Sequence, residues 1–298
     1  MEEHGTEWLE ANLAWWDERA PAHASPTSTY HLDEVVAGGR GLRPFEVEEC
    51  DPVDGLDLVH LQCHIGTDTV GWARLGARVV GLDFSTPALA AAAGLAARCE
   101  VDVEWVRADV LHAVAALGVG RFDVVYTGVG ALNWLPDLRR WGRVVADLLR
   151  PGGSLYLVEL HPMWMALGDD GRTLREDAIT GAYQAWTEPQ VGSYGAPDAT
   201  FEHATTWERL HPLGDVLTAI LDAGLAIELY HEWPFTPAPT PWLERGEDGL
   251  HRFPDGATPF PLLYSLRARR PAEPDEPGRG RAGGAGGAGG QNPGRPSA

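Results

Sequence analysis

Leu58 to Ser85 reads LVHLQCHIGTDTVGWARLGARVVGLDFS, and this stretch decides the fold. The apolar run Leu58 to Leu61 predicts a short strand. A tight loop follows, then a helix that Thr67 or Asp68 can cap and that ends at Gly76. Arg78 to Asp83 is a second apolar strand, closing on an aspartate. This layout suits a nucleoside-bearing cofactor. Such a ligand lies in the crevice at the strand ends of a parallel sheet, close to loop N–H groups and a helix start. A carboxylate at Asp83 can accept both ribose hydroxyls of the nucleoside. The loop is irregular, because only Gly66 is a glycine while Gln62 and His64 stand in its neighbours' places.

The same rhythm continues outward. Ser85 caps an alanine-rich helix over 87–98, with Pro87 in its first turn. Val103 to Arg107 reads as a third strand, followed by Asp109. Phe122 to Thr127 is a fourth, and Pro136 to Leu149 an amphipathic helix. Pro151-Gly152-Gly153 predicts a turn into a fifth strand, Ser154 to Glu159. Strands and helices alternating at these lengths predict an α/β fold, a doubly wound, mostly parallel sheet. A helix from Leu213 to Ala223 stops at Gly224. The strands Ala226 to Trp233 and Leu262 to Leu266 are expected to pair antiparallel at the C-terminal edge.

Three other segments frame this domain, which is placed at 56–270. Residues 1–55 read as an N-terminal helical lid, with Trp8, Leu9, Leu13 and Trp16 at helical spacing. A loop is expected from Pro21 to Thr29 and a short helix from Leu32 to Val36. The insertion 162–210 is rich in aromatic side chains, among them Trp164, Tyr183, Trp186, Tyr194, Phe201 and Trp207, and is expected to form a lid and substrate wall. The proline- and glycine-rich tail 271–298 is expected to be disordered.

Composition narrows the function. The 298 residues carry a formal charge of −20, and every basic residue is arginine. Without lysine there is no Schiff-base or P-loop lysine chemistry. The acidic balance argues against nucleic-acid partners, which are held mainly through cationic contacts to phosphate. Three cysteines, Cys50, Cys63 and Cys99, form no paired framework and point to a reducing compartment, the cytoplasm. The opening MEEHGTEWLE is acidic and lacks the apolar run of a signal peptide. No stretch approaches the length of a membrane span. Cys63, His64 and Asp68 are poorly spaced for a shared metal, so none is expected. The oligomeric state is left open.

At this point the chain resembles a class I S-adenosylmethionine-dependent methyltransferase of the bacterial small-molecule type. The resemblance rests on HLQCHIGTDT, GLDFS, RADV, FDVVYTGVGALNWLPDL and LLRPGGSLYLVELHP, and covers Leu56 to Glu159. The family loop reads acidic-x-Gly-x-Gly-x-Gly, and here those positions are His60, Gln62, His64 and Gly66. The resemblance implies S-adenosylmethionine as cofactor, with these four residues and Thr67 around it. It implies Asp83 and Phe84 at the ribose, Asp109 and Val110 at the adenine, and Thr127 and Gly128 at the methionine end. Tyr30 is expected to close over the cofactor from the N-terminal segment.

Methyl transfer from a sulfonium needs a positioned nucleophile, and a general base helps for a hydroxyl or phenol acceptor. His161, in ELHP past the fifth strand, is the first candidate base, and His211, in RLHPLGD, the second. Glu159 is read as orienting one of them or holding the substrate. The acceptor is expected to be a small molecule, methylated on oxygen, nitrogen or carbon. Two alternatives remain open: an NAD-dependent oxidoreductase with a Rossmann sheet, and a non-catalytic S-adenosylmethionine-binding protein. The absence of G-x-G-x-x-G weighs against the former.

Overall fold

Seven strands build the central sheet of the computed structural model, which describes residues 6–272 apart from 40, 51, 169, 175–180 and 257–259. They are β1 (Asp57–Leu61), β2 (Arg78–Asp83), β3 (Val103–Arg107), β4 (Phe122–Thr127), β5 (Leu149–Leu160), β6 (Ala226–Trp233) and β7 (Leu263–Arg269). Their spatial order is β3-β2-β1-β4-β5-β7-β6. The first five pair in parallel, and β7 runs antiparallel to both β5 and β6. The order reverses between β1 and β4, which places a crevice at the carboxyl ends of those two strands.

Alternating residues feed two cores, as a sheet covered on both faces requires. Val59, Leu61, Val125, Leu155 and Leu157 pack with the helices Leu138–Leu148 and Leu213–Asp222 through Trp141, Val145 and Ile220. Leu58, Val79, Val124, Tyr126 and Tyr156 pack on the opposite face with Phe45 and Trp72. The principal helices, in chain order, are α1 (Glu7–His23), α2 (Leu32–Val36), α3 (Pro44–Glu49), α4 (Thr67–Arg74), α5 (Thr86–Arg98), α6 (Leu138–Leu148) and α7 (Leu213–Asp222). In α6, Leu138, Trp141, Val144, Val145 and Leu148 recur at helical spacing and are all buried. Each such side chain contributes about 1.5–3 kcal/mol by leaving water. Asp137 starts that helix by accepting from the Arg140 N–H at 3.0 Å.

Several local expectations are corrected. The N-terminal helix does not stop at Pro21 but runs on to His23, with Ala24 N–H closing onto Ala20 O at 3.0 Å. Proline in a last turn removes one donor only, and side-chain contacts of His23 described below hold the turn. Helix α3 was not foreseen, although Pro44 at its first turn and Glu46 reaching back to the Arg43 N–H at 2.7 Å are a start pattern. Neither Thr67 nor Asp68 caps α4; Gly66 occupies the cap, at φ 77° and without a side-chain bond. The Pro151-Gly152-Gly153 turn is absorbed into β5 as an irregularity in its pairing with β4, with Gly152 at φ 83°. The insertion contains a two-stranded antiparallel ribbon, Gln184–Thr187 with Thr205–Glu208. Of the expected disordered tail, residues 273–298 lie outside the described residues.

Candidate cofactor site

The loop after β1 has an unusual backbone. Gln62, His64 and Gly66 have φ of 56°, 48° and 77°, all left-handed. Glycine adopts this region freely, whereas a residue with a Cβ gives up about 1–2 kcal/mol there. Two residues with side chains thus hold a backbone conformation that glycine adopts freely. Non-glycine residues held at positive φ cluster at functional sites. At Gly66 the replacement is blocked twice, because an added Cβ would also lie 2.9 Å from both Ala92 Cβ and the Trp105 ring.

The carboxylate of Asp83 sits directly behind this loop. It is buried and accepts from the His64 N–H and the Ser85 N–H, each at 2.9 Å. Burial pushes it up to about 6, against the lowering effect of those backbone bonds. The Phe84 carbonyl accepts from Arg107 Nε at 3.1 Å, which fixes the turn out of β2. Gln62 Nε2 donates to the Ala131 carbonyl at 3.1 Å, joining the first loop to the one after β4. Its Oε1 is buried without a hydrogen-bond partner, as is Oγ1 of Thr127 at the end of β4. Two orphaned acceptors at the ends of adjacent parallel strands fit a polar ligand, since buried polar atoms are rarely left unbonded.

His60, at the position of the family acid, is buried, and burial lowers it to about 4, so it is neutral. Its Nδ1 is bonded to Thr69 Oγ1 at 2.8 Å. A Cβ on Gly128 would approach His60 Nε2, the Tyr126 hydroxyl and Asp68 Oδ2 within 3.2–3.4 Å, so all three border that glycine. Tyr126 donates to Glu46 Oε1 at 2.7 Å and lies 3.2 Å from Asp68 Oδ2. Arg43 closes the group with a 2.7 Å ion pair to Glu46. Burial raises Glu46 and Arg43 opposes it. Thr67 Oγ1 bonds to Asp68 Oδ1 at 3.3 Å. Sequence reasoning missed Arg43 and Glu46 together with the helix that carries them.

Aromatic side chains cover the loop from outside. The His64 ring lies 4.8 Å from Trp16, 5.1 Å from His23 and 5.8 Å from Tyr30, between centroids. Trp16 also meets Trp134 at 5.1 Å, and the Tyr30 hydroxyl is 3.1 Å from that of Tyr194. Tyr30 of the N-terminal segment thus lies beside the His64 ring, and Tyr194 of the insertion meets it there.

Other expected site residues are engaged in local structure. Asp109 caps the turn Val110–His112, taking the Leu111 N–H at 3.0 Å and His112 Nδ1 at 3.1 Å, and Val110 is buried beneath it. Glu159 accepts four backbone N–H groups, those of Gly130, Ala131, Leu132 and Leu160, at 2.6–2.9 Å. It anchors the loop that receives Gln62, in place of the expected role beside a histidine. His161 Nδ1 accepts the Met163 N–H at 3.1 Å, and Nε2 meets Glu232 Oε1 at 3.3 Å. His211 Nε2 donates to the Leu135 carbonyl at 2.9 Å, and burial lowers this imidazole to about 4. Among the described residues no group of three or more histidine, cysteine, aspartate or glutamate side chains could hold a metal ion.

This sheet order, with β7 antiparallel to its neighbours, is that of the methyltransferase-type α/β fold. Known proteins agree. Residues 59–155 match the family described as "Methyltransferase domain". A ubiquinone biosynthesis O-methyltransferase of Methylobacterium sp. (strain 4-46) is 29% identical over 151 residues, 49% of this chain and 58% of the relative. One of Methylobacterium nodulans is 27% identical over 219 residues, 72% and 77%. The chain spans about 60% of the length of most of the curated relatives it matches. A crystal structure of an S-adenosylmethionine-dependent methyltransferase from Mesorhizobium loti shares the fold, with a TM-score of 0.52 at 24% identity over 80% of this chain and 100% of that one. Over residues 59–155 the chain is similar to a methyltransferase domain, and its fold is that of S-adenosylmethionine-dependent methyltransferases.

Proposed function

We propose that the chain transfers the methyl group of S-adenosylmethionine to a small molecule. The observation that carries this reading is the loop from Gln62 to Gly66, which keeps three left-handed residues in front of the Asp83 carboxylate. Asp83 and the loop N–H groups hold the nucleoside, and Gln62 Oε1 and Thr127 Oγ1 meet polar groups toward the methionine end. His60 and Gly128 border that end. Asp109 and Val110 lie where the adenine is expected. When bound, the cofactor supplies an electrophilic methyl group on a sulfonium. The chain's part is to orient the acceptor and exclude water, which for such a displacement supplies much of the rate. Trp16, Tyr30, Trp134 and Tyr194 wall off the loop and favour a flat, largely apolar acceptor.

Proton removal has no poised base at His161 in this conformation, since both ring nitrogens are bonded. The reading therefore favours an acceptor atom that is already nucleophilic, or one whose proton is lost before transfer. The NAD reading is disfavoured by β7, which breaks the parallel order between β5 and β6. We read the compartment as the cytoplasm, from three cysteines that form no paired framework in the sequence. Among the described residues no helix is long and apolar enough to cross a membrane. Calorimetric titration with S-adenosylmethionine and with NAD tests the proposal. Heat with the first and none with the second is expected, followed by S-adenosylhomocysteine formation over a panel of small acceptors. Absence of binding to S-adenosylmethionine refutes it, and binding without turnover over the panel favours the non-catalytic reading.

A further inference from the structure

His64 stands where the family has glycine and holds a left-handed backbone with a full side chain. Its ring has a definite use. Nε2 shares a 2.9 Å hydrogen bond with Nδ1 of His23, and His23 Nε2 lies 2.5 Å from Ser193 Oγ. His23 is fully buried. The insertion makes room for it with Gly195, where a Cβ would fall 2.5 Å from the His23 ring. The backbone N–H of the same His64 donates to Asp83. One residue thus holds the candidate ribose acid with its backbone and two distant segments with its ring.

Those two segments form one body. Asn12 of α1 pairs with Trp207 as a neighbouring strand would, donating Nδ2 to its carbonyl at 2.9 Å and accepting its N–H at 2.7 Å. Glu18 takes the N–H groups of Glu202 and His203 at 2.6 and 2.8 Å. Arg19 lies over the rings of Trp15 and Phe201, at 3.8 and 4.2 Å, and donates to the His203 carbonyl at 3.0 Å. Ser28 and Thr29 donate to the carbonyls of Gly195 and Tyr194, each at 2.8 Å. Helix α1, the segment after it and residues 183–208 of the insertion are therefore a composite cap.

We propose that His64 is a positioning residue that latches this cap onto the cofactor loop through His23 and Ser193. This rests on the cofactor-site reading above. The glycine is replaced because the loop must grip the cap as well as the ligand. Opening the His64–His23 bond frees the cap edge and lets the cofactor exchange.

The test is amide hydrogen exchange over residues 7–23 and 183–208 in the cofactor-free protein, with strands β1 to β5 as the internal reference. His64→Gly restores the family residue and suits the backbone. His64→Asn also tolerates positive φ but carries no imidazole, so it separates ring from backbone. His23→Gln cuts the relay from the other side. Loss of one hydrogen bond predicts exchange about fivefold to tenfold faster in the cap segments for all three variants, with the reference strands unchanged. Release of S-adenosylhomocysteine, followed by stopped flow, should quicken by a similar factor. Unchanged cap exchange in both His64→Gly and His23→Gln overturns the latch. Failure of the wild-type protein to bind S-adenosylhomocysteine overturns the cofactor reading instead, while the exchange data still decide whether the latch exists.

Discussion

Replacing Gln62 with glycine should make the cofactor-free protein more stable while weakening its hold on the cofactor. The backbone at φ 56° favours glycine, a gain of about 1–2 kcal/mol. Glycine's extra freedom in the unfolded chain takes back about 0.5–1 kcal/mol of that. The lost hydrogen bond from Nε2 to Ala131 removes about 1 kcal/mol. Against this, the buried Oε1 has no partner, and removing such an atom returns about 1–3 kcal/mol. The sum favours the variant by roughly 0–3.5 kcal/mol, centred near 2. Urea denaturation of both proteins without cofactor measures it as a higher midpoint at constant slope. Calorimetry with S-adenosylhomocysteine should move the other way, about tenfold weaker for one lost hydrogen bond in a dry site. A variant destabilised by more than about 1 kcal/mol would show that the orphaned oxygen is not a burden. A variant unchanged in affinity would remove Gln62 from the site.

Gly66→Ala should do the opposite, losing about 2–4 kcal/mol from positive φ together with overlap against Ala92 and Trp105, read as a drop in melting temperature. His211 gives a pH prediction. Its folded value of about 4 lies below the unfolded 6.5, so its contribution is full above pH 6.5 and is lost as pH falls from there toward 4. The stability difference between wild type and His211→Asn should therefore shrink, by about 2–3 kcal/mol, between pH 7 and pH 4. A difference that stays constant with pH would mean the imidazole is not held neutral. His161→Asn keeps an acceptor for the Met163 N–H, and turnover should stay within about threefold of wild type. A fall of a hundredfold or more at unchanged cofactor affinity would make His161 a general base after all.

The parallel strands were legible because residues buried on both faces read as unbroken apolar runs. Val79 to Leu82 and Val124 to Tyr126 each alternate between the two cores without a polar interruption. Asp83 was legible from its place at a strand end. Helix α3 was not, since at six residues it carries no periodicity and is held instead by Glu46 and Glu49, which accept from the hydroxyls of Tyr126 and Tyr156 at 2.7 and 3.0 Å. The left-handed φ of Gln62 and His64 was not legible either, because local preference opposes it and only tertiary bonds maintain it. Glu159 misled for a related reason. A lone acid at a strand end reads as a ligand, and nothing local reveals that the next loop will turn four N–H groups toward it.

The cap has a consequence for how the chain is made. Asn12 and its partner Trp207 are 195 positions apart. At about 5–20 residues per second, a ribosome needs roughly 10–40 seconds to cover that distance. During that interval α1 has left the tunnel, with Trp15 and Trp16 on it, and the ribbon strand that Asn12 pairs with does not yet exist. The sheet can assemble in order behind it, strand by strand, but the first helix to be synthesised is among the last to find its place. Nascent chains of this protein should therefore present an aromatic helix to chaperones for most of their synthesis, and lose it only when the insertion emerges.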